Sequence, residues 1–192
     1  TLGRKLVQER NIPILERAQQ TGEDYLKTKI VLPQITLAEG AINLRVGRKS
    51  LKIFPTPGNS PDGISVLVRE DRILFSGDSF LPLPVFVEGD IDQLIRTIES
   101  FRNLGLENII QGHGEVILRG EIEEAIDSNL NYLNELKKVV AKALKRKDPQ
   151  KVLEEATIES CGKSRVLLAG LVQELHQHNL MHLYQQEKAK LE

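Results

Sequence analysis

LKIFPTPGNSPDGISVLVREDRILFSGD, residues 51–78, carries two tight loops at the ends of neighbouring strands. An apolar strand runs through Phe54 and breaks at the turn Thr56-Pro57-Gly58-Asn59-Ser60-Pro61-Asp62-Gly63. Two further apolar runs, 64–68 and 73–76, follow as a hairpin with Glu70-Asp71 at its tip, and the stretch closes on Gly77-Asp78. Aliphatic and β-branched runs bounded by Gly, Pro, Asn and Asp clusters are the signature of strands and of the turns between them. About a helix length further on, Gly112-His113-Gly114 repeats the device, a chemically able side chain between glycines after a short apolar run at 108–111. Three loops of this kind can face one site.

Working outward, residues 42–46 alternate apolar and polar as a half-buried strand should, and Gly47-Arg48-Lys49 turns the chain into the strand at 50–54. Residues 2–29 are polar and helix-favouring, with Asn11 and Pro13 marking a break between two helical pieces. On the other side, Leu81-Pro82-Leu83-Pro84-Val85 cannot be a central strand, because alternate prolines remove ladder donors, so an apolar loop follows Asp78 directly. Asp90 with Gln93 is a capping pattern for a helix that repeats Ile91, Leu94, Ile98 and Phe101 on one face and ends at Gly105. From Glu121 the spacing of Ile122, Ile126, Leu133, Leu136 and Val140 predicts a helix of six turns ending in Lys145-Arg146-Lys147. Asp148-Pro149 restarts a short helix, and a last one is expected from near Ser164, with Leu168, Leu171, Val172, Leu175 and Leu183 as its apolar stripe.

With 192 residues, 40% of them hydrophobic and 28% charged, the chain is long enough for one domain with a sizeable core and belongs with globular proteins. Its formal net charge of −1 leaves no electrostatic footprint for nucleic acid or an anionic membrane surface, and no apolar run is long enough to span a bilayer. A single cysteine, Cys161, fits a reducing compartment, and a cytoplasmic location is expected. The sequence starts Thr1-Leu2-Gly3 without Met, from which we expect something upstream to be missing: a cleaved tag, a processed precursor or a truncated gene.

Asp78 and His113 are the residues suited to chemistry. Carboxylate and imidazole both bind zinc at roughly 2.0–2.2 Å, and a glycine turn at a strand end aims such a side chain outward. Either residue alone could equally be a turn former or a surface imidazole. His176, His178 and His182 are read as surface or interface residues, although the last two are spaced i, i+4. Gly162-Lys163-Ser164 lacks the upstream glycine and strand of a phosphate loop, and Cys161 has no activating neighbour in sequence.

Taken in order, Thr56-Pro57-Gly58-Asn59-Ser60-Pro61, Gly77-Asp78 and Gly112-His113-Gly114 resemble the carboxyl-terminal half of the metallo-β-lactamase superfamily. There a TPGH-S/T-P loop supplies a histidine, a GD turn an aspartate that bridges two metals, and a GHG turn a final histidine. The resemblance implies an α/β fold, half of an αββα sandwich with a C-terminal helical tail: a partial metallo-β-lactamase-like domain over residues 1–135 and a helical extension over 136–192. It implies zinc, sometimes iron or manganese, two ions in the family and one or none in this chain. Asp78 would be the catalytic aspartate touching both ions and His113 a ligand of the second.

The implied reaction is hydrolysis of a small ester, thioester or lactone by a metal-bound hydroxide, with the apolar loop at residues 80–87, notably Phe80, Val85 and Phe86, as substrate wall. Two departures stand out. No HxHxDH string, which would carry four more ligands, occurs in the chain, and Asn59 stands where the family has a histidine. An amide oxygen is a weaker, neutral ligand. A divergent single-metal enzyme, an inactive relative and an engineered ligand knockout all fit that residue. The alternative to an enzyme is a non-catalytic fold relative or interaction module, and self-association through the C-terminal helices is the expected route to a homo-oligomer.

Overall fold

Alternation writes the sheet. β1 (Ile42–Val46) turns through Gly47 and Arg48 into β2 (Lys49–Pro55), with Val46 opposite Lys49. Gly47 has a φ of 60°, as a two-residue hairpin loop needs at its first position. β3 (Ile64–Val68) and β4 (Ile73–Gly77) continue the antiparallel meander. β5 (Asn108–Gln111) then joins β4 in parallel, and β6 (Ile117–Leu118) closes the edge. In the computed structural model, which describes residues 34–37, 39–86, 89–167 and 171–191, the sheet order is β1-β2-β3-β4-β5-β6.

A parallel pair requires a crossover, and here it is α1 (Ile91–Ser100). Asp90 Oδ1 accepts the Gln93 N–H at 2.8 Å to start it, and a 3₁₀ turn, Phe101–Leu104, ends it at Gly105 with φ 61°. α2 (Ile122–Ala143), α3 (Pro149–Glu155) and α4 (Val172–Ala189) follow. α2 carries the chain past residue 135 without a break, and Leu153, Val172, Leu180 and Leu183 share one core with the strands.

Register separates the two faces of the sheet. Leu67, Leu74, Ile109 and Ile117 form a row on the face covered by α1 and α2, where Leu74, Ile98, Ile109 and Ile126 are fully buried. Ile42, Ile53, Val66, Phe75 and Ile110 form a row on the other face. That second face is equally apolar yet open: Phe75 is 44% exposed, Ile64 51% and Val46 61%. One sheet layer and one helical layer are therefore described, the half sandwich with helical tail that the motifs implied.

Two expectations are corrected, one strand was not anticipated, and some residues lie outside what is described. The two-residue strand β6 has no counterpart in the sequence reading, since two residues carry no periodicity. The last helix begins at Val172, not near Ser164. Residues just before it are tied back to the 3₁₀ turn Glu159–Cys161: the Lys163 N–H donates to Ile158 at 3.1 Å and Arg165 pairs with Glu159. His176 is not a surface residue but wholly buried, while His178 is exposed and His182 intermediate. The helical pieces expected over residues 2–29, and Val87 and Leu168, lie outside the described residues.

Candidate functional site

β4 and β5 run in parallel, so the turns after them emerge side by side. Gly77, at φ 53°, accepts the Gly112 N–H on its carbonyl at 2.9 Å, which locks the two turns together. Asp78 and His113 come next on each strand, and Asp78 Oδ1 lies 3.6 Å from His113 Nε2. Both side chains remain open to solvent, 49% and 73% exposed. Gly112 is required by this approach: a Cβ there would stand 2.0 Å from Asp78 Oδ1 and 2.8 Å from the Gly77 carbonyl carbon.

The loop at 56–63 is held against the same edge. Its ends close through the Thr56 N–H and the Gly63 carbonyl at 2.8 Å. Gly58, with φ 134°, presses so close to α1 that a Cβ would sit 2.3 Å from the Leu94 backbone. The Thr97 hydroxyl donates to the Pro57 carbonyl at 2.6 Å and the Asp90 N–H to that of Gly58 at 3.0 Å. Beneath the loop lies a buried hydroxyl cluster: Ser79 donates to the Thr56 carbonyl at 2.8 Å, Thr56 and Ser65 share a bond of 2.9 Å, and Ser76 donates to Ile110 at 3.2 Å.

The structure thus brings Asp78 and His113 together and anchors Asn59, through its amide nitrogen, to the loop that follows Asp78. Asn59 Nδ2 donates to the Val85 carbonyl at 2.9 Å, which leaves Oδ1 as its free ligating atom. The loop after Asp78 is not a simple substrate wall. Phe80 is buried against Phe101, with ring centroids 6.1 Å apart, and Phe86 is buried beside His182, also at 6.1 Å. Both rings serve the core, because removing that much apolar surface from water outweighs any pull to the surface. Val85, half-buried, is the one of the three with surface left to offer.

Two donors 3.6 Å apart suit one zinc ion, since ligands at roughly 2.1 Å in tetrahedral geometry stand about 3.4 Å from each other. They fill only two corners, and among the described residues no group of three or more His, Cys, Asp or Glu is placed to hold a metal. Beside His113, Gln111 donates to the Glu115 carbonyl at 2.6 Å while its Oε1 is buried without a hydrogen-bond partner.

Sequence reasoning missed the residues that support this edge. Asn129 Nδ2 donates to the Leu81 carbonyl at 3.0 Å, and Lys163 Nζ donates to Asn129 Oδ1 at 2.7 Å. Burial lowers the Lys163 pKa to about 8. His176, also depressed by burial, bridges Tyr132 and the Ala156 carbonyl, and the Tyr132 phenol is raised by burial. The signal was present: Asn129 and Asn179 stand at core positions of helical stripes, where a polar residue needs an internal partner.

A sequence model of the metallo-beta-lactamase superfamily matches residues 6–146. The chain is 25% identical over 141 residues to the beta-lactamase-like protein 2 homolog of Caenorhabditis elegans, an alignment covering 73% of this chain and 45% of the relative. It is 26% identical over 106 residues to the atrochrysone carboxyl ACP thioesterase of Aspergillus fumigatus, covering 54% and 31%. Among solved structures, a metallo-beta-lactamase family protein from Thermus thermophilus superposes with a TM-score of 0.54 at 16% identity, covering 80% of this chain and 49% of that one. The chain spans less than half the length of these relatives.

Proposed function

The chain belongs to the metallo-beta-lactamase superfamily, and from that premise we propose that it contributes one side of a metal-dependent hydrolase acting on a small ester, thioester or lactone. The approach of Asp78 Oδ1 to His113 Nε2 at 3.6 Å carries the reading. A relative named as a thioesterase supports the substrate class. Zinc is the ion this carboxylate and imidazole suit best, and the remaining ligands are assigned to the portion of the fold that the longer relatives have and the described residues lack.

When bound, zinc supplies a Lewis acid that brings water within reach of ionisation at neutral pH. The protein's own groups set the stage for it. Asp78 brings the two oxygens of a carboxyl group to the strand edge; His113 brings an imidazole nitrogen. Gly77 and Gly112 keep the two in register, and Val85 offers an apolar contact to the acyl part of a substrate. We place the protein in the cytoplasm, where its buried Cys161 stays reduced.

A second reading, a non-catalytic fold relative that binds partners, is favoured by the open apolar face around Phe75 and by the amide at Asn59. One experiment separates them. The full-length protein is loaded with zinc and assayed on a panel of esters, thioesters and lactones. The expected result is hydrolysis that chelation removes and that Asp78→Ala lowers to the chelated level. Wild-type rates in Asp78→Ala would refute the hydrolase reading, as would a panel on which nothing is turned over.

A further inference from the structure

The residue after the second proline of the loop, Val85, is held from an unexpected direction. Asn179, fully buried on α4, donates from Nδ2 to the Pro84 carbonyl at 2.8 Å and accepts the Phe86 N–H on Oδ1 at 3.3 Å. One side chain thus fixes the backbone immediately before and after Val85. The Val85 carbonyl between them is the acceptor that orients Asn59. We propose that Asn179 is a positioning residue of the candidate site, holding the backbone around Val85 so that its carbonyl sets the direction of the Asn59 amide.

The orientation of Asn179 is overdetermined, which is what a positioning residue requires. A carbonyl only accepts and an N–H only donates, so Pro84 and Phe86 already fix which end of the amide faces which. The second Nδ2 proton goes to the Tyr132 hydroxyl at 3.2 Å. That hydroxyl lies 3.1 Å from His176 Nδ1, and His176 Nε2 lies 3.0 Å from the Ala156 carbonyl. Because Ala156 can only accept, neutral His176 carries its proton on Nε2, and Tyr132 donates to Nδ1. Donors therefore run in one direction, from Asn179 through Tyr132 and His176 to Ala156, so flipping the Asn179 amide would break several bonds at once. The C-terminal helix is in this way part of the site's support.

This role rests on reading the edge at Asn59 and Asp78 as a hydrolytic site, but the test uses neither metal nor turnover, so the two can fail separately. Hydrogen exchange and side-chain amide spectra are recorded on the full chain. In the wild type, the Asn59 side-chain amide, the Asn179 side-chain amide and the Phe86 N–H should exchange together, through one opening. Asn179→Ala should speed exchange at Asn59 and Phe86 at least tenfold and shift the Asn59 amide resonances. Val172→Ala, a cavity two turns earlier on the same face of α4, should leave those resonances in place. Free-amide exchange at Asn59 or unrelated wild-type rates would overturn the proposal even if Asn179→Ala failed to fold. An unmoved Asn59 in folded Asn179→Ala, or an equal shift in Val172→Ala, would overturn it as well.

Discussion

Gly58→Ala should lower folding stability by roughly 3–5 kcal/mol, the sum of a backbone held where only glycine is at ease and an overlap with a helix that cannot retreat. The φ of 134° supplies the first part. For the second, the added Cβ would stand 2.3 Å from both N and Cα of Leu94, a residue that closes the first turn of α1 and whose own side chain is buried in the core. Chemical denaturation measures the loss. Gly105→Ala is the control, because Gly105 also has a positive φ, 61°, but nothing lies within 4 Å of its added Cβ. It should cost only about 1–2 kcal/mol, and equal losses at the two positions would mean that the contact between the 56–63 loop and α1 is not tight.

Gly112→Ala should separate Asp78 from His113 and, on the proposed metal-binding role of that pair, weaken zinc binding at least tenfold. The new methyl would occupy the position of the Asp78 carboxylate, 2.0 Å from Oδ1, and would also crowd Gly77 and the Asp78 nitrogen at 2.8 and 2.9 Å. Rotating Asp78 away relieves the first clash but removes its oxygen from the shared corner. Parting the ends of β4 and β5 relieves the others but breaks the bond from the Gly112 N–H to Gly77. Either escape takes apart the two-donor arrangement, so calorimetric titration with zinc should report the loss although neither Asp78 nor His113 has been replaced. Undiminished affinity in a folded Gly112→Ala protein would show that the turns do not set the pair.

Local signals made much of this legible. The Asp90 cap and the Gly105 stop bound the α1 segment because each acts within one turn of chain. That the glycine turns at Gly77 and Gly112 could face one site was legible because each follows a short apolar run, but the parallel pairing that sets them side by side was not. What the sequence could not show depends on partners far along the chain. Ser164 has the look of a helix start, but Lys163 and Arg165 are engaged by Asn129 and Glu159, so α4 waits until Val172. Val172, His176, Asn179 and Leu183 follow the core period, yet an imidazole and an amide in a helix that also carries four glutamines read as a polar face until Tyr132 and Pro84 are seen beside them. Phe80 and Phe86 illustrate the same limit, because an apolar loop looks alike whether it lines a cleft or fills a core.

If Asp78 and His113 act as a metal-holding pair, a zinc titration followed at the histidine rings of the isotope-labelled chain tests it most directly. His113 resonances should shift and saturate with zinc, those of buried His176 should stay fixed, and Asp78→Ala should weaken the His113 response at least tenfold. A response centred on His178 and His182, or a His113 response indifferent to Asp78→Ala, would contradict that pairing.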